Sequence, residues 1–168
     1  MSMNILFFIG GVVSTLLILL LKKKMRRLEN PVRELPAKED FLKILEMELE
    51  RLKRRAEVFS VACLETFEKD DVLLKAAAKT LKENIRCIDY VGQVDGVFVF
   101  FLRETDSKHA FELFQRLLKR LYPSTFSVGI TTFLKPPQSV EEMLKKTGEL
   151  LYLAKKKGKN TIEQGSLE

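Results

Sequence analysis

The sequence predicts an α+β fold, an antiparallel-rich sheet flanked by helices, behind one N-terminal transmembrane helix. Three observations carry this expectation. Asp95-Gly96 separates two apolar runs, residues 89–94 and 97–102, and an Asp-Gly pair in that setting is the strongest short-range hairpin signal. The surrounding segments give the order helix, strand, helix, hairpin, helix, strand, helix, which gathers the strands into one sheet with helices packed on it. Residues 5–21 are 17 consecutive positions without a charge, 13 of them Leu, Ile, Val or Phe.

As a helix, that apolar run spans roughly 26 Å, close to a hydrocarbon core of ~30 Å. Lys22, Lys23, Lys24, Arg26 and Arg27 follow it directly. A cleaved signal peptide has the opposite arrangement, with positive charge before the apolar run and small residues after it. Residues 1–27 are therefore expected to be an uncleaved anchor with a basic juxtamembrane cluster. The positive-inside rule puts the amino terminus outside and the remainder in the cytoplasm, a single-pass protein of the inner membrane. Gly10 and Ser14 are spaced so that two anchors can pack closely.

Pro31 and Pro36 mark residues 28–37 as a linker, leaving residues 38–168 as the cytoplasmic domain. Phe41, Leu45, Leu49 and Leu52 fall on one stripe of a helix over residues 38–57. The apolar run 59–64 is a buried strand. Residues 71–85 are rich in Ala and Leu, with Asp70 or Asp71 as the helix cap. After the hairpin come a helix over 107–121, a strand over 125–132 and a long helix over 139–157. This last helix turns Met143, Leu144, Leu150, Leu151 and Ala154 inward and ends at Gly158. Thr161 and Ile162 add a last short strand.

Composition narrows the chemistry. The chain has 168 residues and a formal charge of +6, but without the five juxtamembrane cations 24 basic residues face 23 acidic ones. The body is close to neutral, so the basic stripe of a nucleic-acid-binding domain is absent. Cys63 and Cys87 make no disulfide framework and no zinc-ligand cluster, and fit a reducing compartment as small hydrophobes. His109 is the single histidine, too little for a histidine metal site or a Ser-His-Asp triad.

Three stretches together resemble the GGDEF family of bacterial diguanylate cyclases. Residues 30–41, NPVRELPAKEDF, are similar to the family opening DxLTGLxNRRxF, keeping Pro31, Leu35, Pro36 and Phe41. RCIDYVGQVDGVFVFFL places an RxxD at the family's distance before the signature hairpin. Leu151-Tyr152-Leu153-Ala154-Lys155 followed by Lys157-Gly158-Lys159-Asn160 resembles the closing LYxAKxxGRN, the most specific of the three. FSVGITTF resembles the strand before that helix. The resemblance covers residues 30–163 and implies a nucleotide-cyclase-like, ferredoxin-type fold.

Members of this family condense two GTP molecules into cyclic di-GMP across a head-to-head domain dimer, phosphoryl transfer that needs divalent cations on carboxylate oxygens. The resemblance maps the signature hairpin onto Asp95, Gly96, Val97, Phe98 and Val99, so both acidic positions are apolar. Glu65 aligns with the remaining metal-ligand position. The family's guanine-holding segment is shortened by about ten positions between Glu65 and Asp71. With metal ligands and guanine pocket both lost, no catalysis, metal or cofactor is expected.

Lys155 and Lys159 match phosphate-contacting positions; lysines in the last turn of a helix also complement its dipole. Arg86 and Asp89 match the RxxD product-inhibition site, where Arg pairs with phosphate or a guanine edge and Asp accepts guanine N–H groups. The plainer reading is a local ion pair between a helix end and a strand start. The family's site recruits a further arginine, for which Arg116 and Arg120 both stand as candidates. The expected function is a membrane-anchored, non-catalytic interaction and regulatory module, paired with its own copy or with another GGDEF-like protein. The alternative is a cyclic di-GMP receptor acting through Arg86 and Asp89. An active cyclase is the third and weakest reading.

Overall fold

The computed structural model describes residues 35–55, 57–67 and 70–167. The expected anchor, its basic cluster and the linker up to residue 34 lie outside the described residues. Among the described residues no helix is long and apolar enough to cross a membrane.

The elements are α1 (Lys38–Arg54), β1 (Phe59–Thr66), α2 (Asp71–Glu83), β2 (Tyr90–Val94), β3 (Val97–Arg103), α3 (Ser107–Leu121), β4 (Phe126–Phe133), α4 (Val140–Lys157) and β5 (Ile162–Leu167). The sheet runs β2-β3-β1-β4-β5. Its first four strands are antiparallel neighbours in the ferredoxin-type order, while β5 lies parallel to β4. The sheet is therefore mixed, antiparallel-rich as expected but closed at one edge by a parallel pair that α4 connects.

Strand alternation divides the core into two layers. Ala62, Leu64, Phe98, Phe100, Phe126, Val128 and Ile130 face α2 and α3. Phe59, Val61, Cys63, Val99, Phe101 and Phe133 face α1 and α4. Phe59 stacks between Phe101 and Phe133, with ring centroids 5.2 and 5.0 Å away. Each buried side chain of this size contributes roughly 1.5–3 kcal/mol relative to exposure. Three of the four helix starts described carry a side-chain cap: Asp70 accepts from the amides of Val72 and Leu73, Asp106 from His109, and Ser139 from Glu142, while α1 starts after Ala37 without one. Such caps are worth about 1 kcal/mol each.

The departures from expectation lie at element ends. α1 stops at Arg54 because Arg55 is extended, and α2 stops at Glu83 because Asn84 leaves the helical region. β1 runs two residues further than expected, to Thr66, by pairing with the start of β4. β5 is six residues long, where only Thr161 and Ile162 were expected. Its sequence IEQGSL has no apolar alternation, and the backbone of β4 holds it in place.

In α4 the inward face centres on Thr147 and Leu151, while Leu144 and Leu150 are half-buried. Gly129 in β4 decides this. A Cβ there would stand 2.2 Å from the Leu151 nitrogen and 2.7 Å from the Thr147 carbonyl oxygen. Only a residue without a side chain lets the helix backbone lie so close to the strand.

Candidate functional site

One end of the sheet gathers most of the singled-out residues. The register Leu64↔Phe98 and Val94↔Val97 sets the hairpin tip beside the end of β1, and Thr66↔Phe126 sets the start of β4 there too. At the tip, Asp95 and Gly96 both have positive φ, 49° and 86°, as the two-residue turn matching strand twist requires. The Asp95 carboxylate accepts from Lys38 Nζ at 2.6 Å, tying the tip to the start of α1. Beyond the tip, Val97 is half-buried. Phe98 is 1% exposed within the α2–α3 layer, and Val99 is buried in the opposite layer. Of the signature hairpin, Phe98 and Val99 thus contribute their side chains to the core.

Glu65 and Lys155 meet here. Lys155 Nζ, in the last turn of α4, donates to both Glu65 carboxylate oxygens at 2.8 Å. The sequence reading places them as a metal-ligand remnant and a phosphate contact; the fold pairs them with each other. Lys159 is exposed, its Nζ 5.9 Å from the centroid of the Phe67 ring. Between them Gly158 caps α4 with φ 127°. Asn160 then stitches the following loop to β4: its amide donates to the Phe126 carbonyl at 2.7 Å, and its Oδ1 accepts from the Phe126 amide at 3.1 Å. Asn160 closes the most specific motif in the sequence, and its role here is structural.

The RxxD segment lies at the opposite end of β2. Asp89 has a side chain 1% exposed, and both carboxylate oxygens are engaged. One accepts from the Arg86 amide and Arg86 Nε at 3.2 Å, the other from the Arg103 amide at 3.1 Å. Arg86 Nη2 donates to the Arg103 carbonyl at 3.1 Å and to Thr105 Oγ1. The four residues form a clasp that ties the α2–β2 turn to the end of β3. Arg86 keeps an exposed edge, and with Arg116, His109, Glu104 and Glu112 it lines a cavity of about 340 Å³. Of the two candidate arginines, Arg116 shares this cavity with Arg86, whereas Arg120 donates to Asn84.

A cluster outside the expected sites joins α1 to the sheet. Glu48, nearly buried, accepts from Arg51 Nε at 2.9 Å and from the Tyr90 hydroxyl at 3.2 Å, with Arg103 Nε 3.4 Å away. Arg51 also donates to Glu57 at 2.8 Å, which holds that carboxyl below its usual range. Burial, reinforced by Glu48, pushes the Tyr90 hydroxyl up. The available signal was a glutamate on the same stripe as Phe41, Leu45 and Leu52.

A family model described as the diguanylate cyclase GGDEF domain matches residues 67–161, more than half of the sequence. The chain belongs to the GGDEF family. Solved GGDEF structures share its fold. The diguanylate cyclase SiaD from Pseudomonas aeruginosa, solved with its activator SiaC, aligns with TM-score 0.73 at 18% identity, over 98% of this chain and 73% of that one. The active GGEEF domain of a Vibrio cholerae diguanylate cyclase aligns with TM-score 0.72 at 17% identity, over 80% and 99%. The GGDEF domain of DgcB from Caulobacter crescentus, solved with c-di-GMP, gives 0.70 at 13% identity, over 77% and 91%. A search of curated proteins finds no significant match.

GGDEF chemistry implies divalent cations, and the aligned donors among the described residues do not fit them. Mg²⁺ is bound through carboxylates together with water and substrate phosphates. Here the Glu65 oxygens hold an ammonium group, the hairpin offers Val97 and Phe98, and Asp95 is bonded to Lys38. Among the described residues there is no group of three or more His, Cys, Asp or Glu side chains arranged to hold a metal.

Proposed function

We propose that this GGDEF domain is catalytically inactive and acts as an interaction and regulatory module. It is held at the inner membrane through residues 5–21, faces the cytoplasm and pairs with a second GGDEF domain, its own copy or another's. The observation carrying the non-catalytic reading is the Glu65–Lys155 pair beside an apolar Val97 and Phe98. Cations that neutralise two triphosphates at that end would find, at the aligned positions, a glutamate already held by a lysine and two apolar side chains. The interaction reading draws on exposed apolar side chains where β1 leads into α2: Phe67, Val72 (72% exposed) and Leu73. Burying such groups favours association.

The test is incubation of the full chain, kept in detergent, with GTP and Mg²⁺ or Mn²⁺. No cyclic dinucleotide is expected, and its formation overturns the non-catalytic reading. Cross-linking of the same preparation, alone and with an active GGDEF protein, tests the pairing; an entirely monomeric chain in both mixtures overturns it.

The receptor reading has one observation in its favour, the cavity shared by Arg86 and Arg116. It requires Asp89 to abandon three main-chain and side-chain donors before it can accept from guanine. Calorimetric titration with cyclic di-GMP tests it, and silence is expected.

A further inference from the structure

We propose that two copies of this chain join through the outer edges of β5, antiparallel about Gln164, so that their sheets become one. The inference rests on the pairing proposed above and names the surface a second copy takes, a surface distinct from Phe67, Val72 and Leu73.

The main chain of β5 carries the first part of the argument. β5 stands at one end of the strand order, with β4 on its inner side. The Val128 amide donates to the Thr161 carbonyl and the Leu134 amide to the Leu167 carbonyl, both at 2.9 Å. Alternate residues of a parallel strand bond the same neighbour, so Thr161, Glu163, Gly165 and Leu167 bond β4. The amides and carbonyls of Ile162, Gln164 and Ser166 therefore point outward, and among the described residues no strand meets them. Such a row is a template for another strand, which proteins guard with lysine, proline or a bulge. Residues 162–167 contain neither lysine nor proline, and their register with β4 runs without a bulge.

Three features point to a second copy as the occupant. First, the edge is self-complementary. About Gln164, Ile162 meets Ser166 of the second copy and Gln164 meets its own equivalent, so each outward residue exchanges both of its hydrogen bonds. The single charge of the strand, Glu163, falls across from Gly165 of the second copy and is already held by Lys157 at 2.7 Å. No like charges face one another across the pair. Second, the two ends of the edge differ in sign. Lys119 stands at the start of β5 beside Asn160 and Ile162, and the exposed Lys159 precedes them in the chain. At the far end, Ser60 Oγ donates to the Thr105 carbonyl and lies 2.8 Å from Thr132 Oγ1, and Thr132 is across from Ser166. That contact brings the exposed Glu104 and Asp106 to the end of β5. Antiparallel pairing turns the basic end of each copy towards the acidic end of the other. Third, Phe111, Leu118, Tyr122 and Ile162 form an open groove of about 420 Å³ alongside the start of β5, with Tyr122 80% exposed. The strand of the second copy runs beside this groove and covers its open side, and burial of apolar surface favours association.

The contact is isologous, so it closes on itself at two copies. It uses no residue of the signature hairpin or of the RxxD segment.

The test is disulfide trapping on the full chain in detergent, in a Cys87→Ser background where the buried Cys63 is the remaining native thiol. Opposite Cα atoms of a hydrogen-bonded antiparallel pair stand about 5.5 Å apart, within disulfide reach, whereas two Ile162 positions would be roughly 14 Å apart. Mild oxidation should therefore link Gln164→Cys to its own copy about tenfold faster than Ile162→Cys, and mixing Ile162→Cys with Ser166→Cys should restore fast linking. Ser166→Pro removes an outward amide and no bond to β4, a place where an edge strand accepts proline, and Ser166→Lys sets a guard on the edge. Each, added to Gln164→Cys, should slow linking about tenfold while leaving the circular dichroism spectrum unchanged. If the proline variant fails to fold, the lysine variant and the cysteine positions decide. Equal linking rates at Gln164→Cys and Ile162→Cys overturn the edge pairing, as does linking at Gln164→Cys that neither Ser166 variant slows. In either case, chemical cross-links formed by the wild type, alone or with an active GGDEF protein, would leave the pairing reading standing without this surface. A chain monomeric in both mixtures overturns the two together.

Discussion

Lys155 Nζ bonds both carboxylate oxygens of Glu65 from 90 residues away in the chain, joining the last turn of α4 to the end of β1. Both side chains remain about one-third exposed, so solvent screens the pair. Lys155→Met should therefore cost no more than about 1 kcal/mol in urea unfolding, and the cost should shrink in high salt. A much larger loss would mean that the pair is a principal support of the fold.

The hairpin position Phe98 carries a sharper expectation. Its ring is buried against the α2–α3 layer, in register with Leu64 and Gln93. Phe98→Glu, which restores an acid at that family position, removes a core aromatic and buries a charge. It should cost about 4 kcal/mol or more, enough to unfold a marginal domain. A melting temperature close to wild type would show that the core yields there. Val97→Asp, at a half-buried position, should be tolerated.

Gly129→Ala should destabilise the domain by about 1–3 kcal/mol or more, since the added methyl meets main-chain atoms of α4 that no side-chain rotation can relieve. Chemical denaturation measures it. An unchanged midpoint would require α4 to shift bodily off β4.

Asp89→Asn keeps the shape of the side chain but turns an acceptor-only group into one that presents donors to the amides of Arg86 and Arg103. Charge-assisted hydrogen bonds of this kind are worth about 1.5–3 kcal/mol, and a loss of that size is expected in unfolding experiments. A variant as stable as wild type would remove the clasp from its structural role and favour the receptor reading.

The thiols should differ. Burial pushes Cys63 up to about 12 from 9.0, while Cys87 is exposed. Native protein should lose one thiol to an alkylating reagent and a second only on denaturation; two fast thiols in the native state would contradict the buried position. Since folding raises this pKa, the stability contributed by the protonated thiol is complete below 9.0 and is lost as pH rises towards 12. At the acid end the sign reverses. Arg51 holds Glu57 below its ordinary 4.5, so that contribution is present above 4.5 and is lost as pH falls through the folded-state value.

The sequence alone determined those parts of the fold that rest on local chemistry. Asp95-Gly96 announced the hairpin because few residue pairs accept two positive φ angles. The stripe Phe41, Leu45, Leu49 and Leu52 announced the buried face of α1, and the pair Asp70-Asp71 announced the start of α2, where Asp70 is the cap, because capping and amphipathicity act within a few residues. Long-range pairing decided the rest. β5 has no apolar alternation and exists because β4 offers it a backbone edge. α4 turned Thr147 inward where Leu150 was expected, because Gly129, some twenty residues earlier, lets the helix down onto the strand there. For the candidate site, the sequence supplied the residues and tertiary structure supplied their partners. Glu65 and Lys155 were separate remnants until the end of β1 met the end of α4. Arg86 and Asp89 were legible as a local ion pair or a ligand site, and the end of β3 with the turn after it added the Arg103 main chain and Thr105 as partners. A charged side chain takes its role from whichever opposite charge or donor the fold sets within about 3 Å, and that is a property of topology rather than of local sequence.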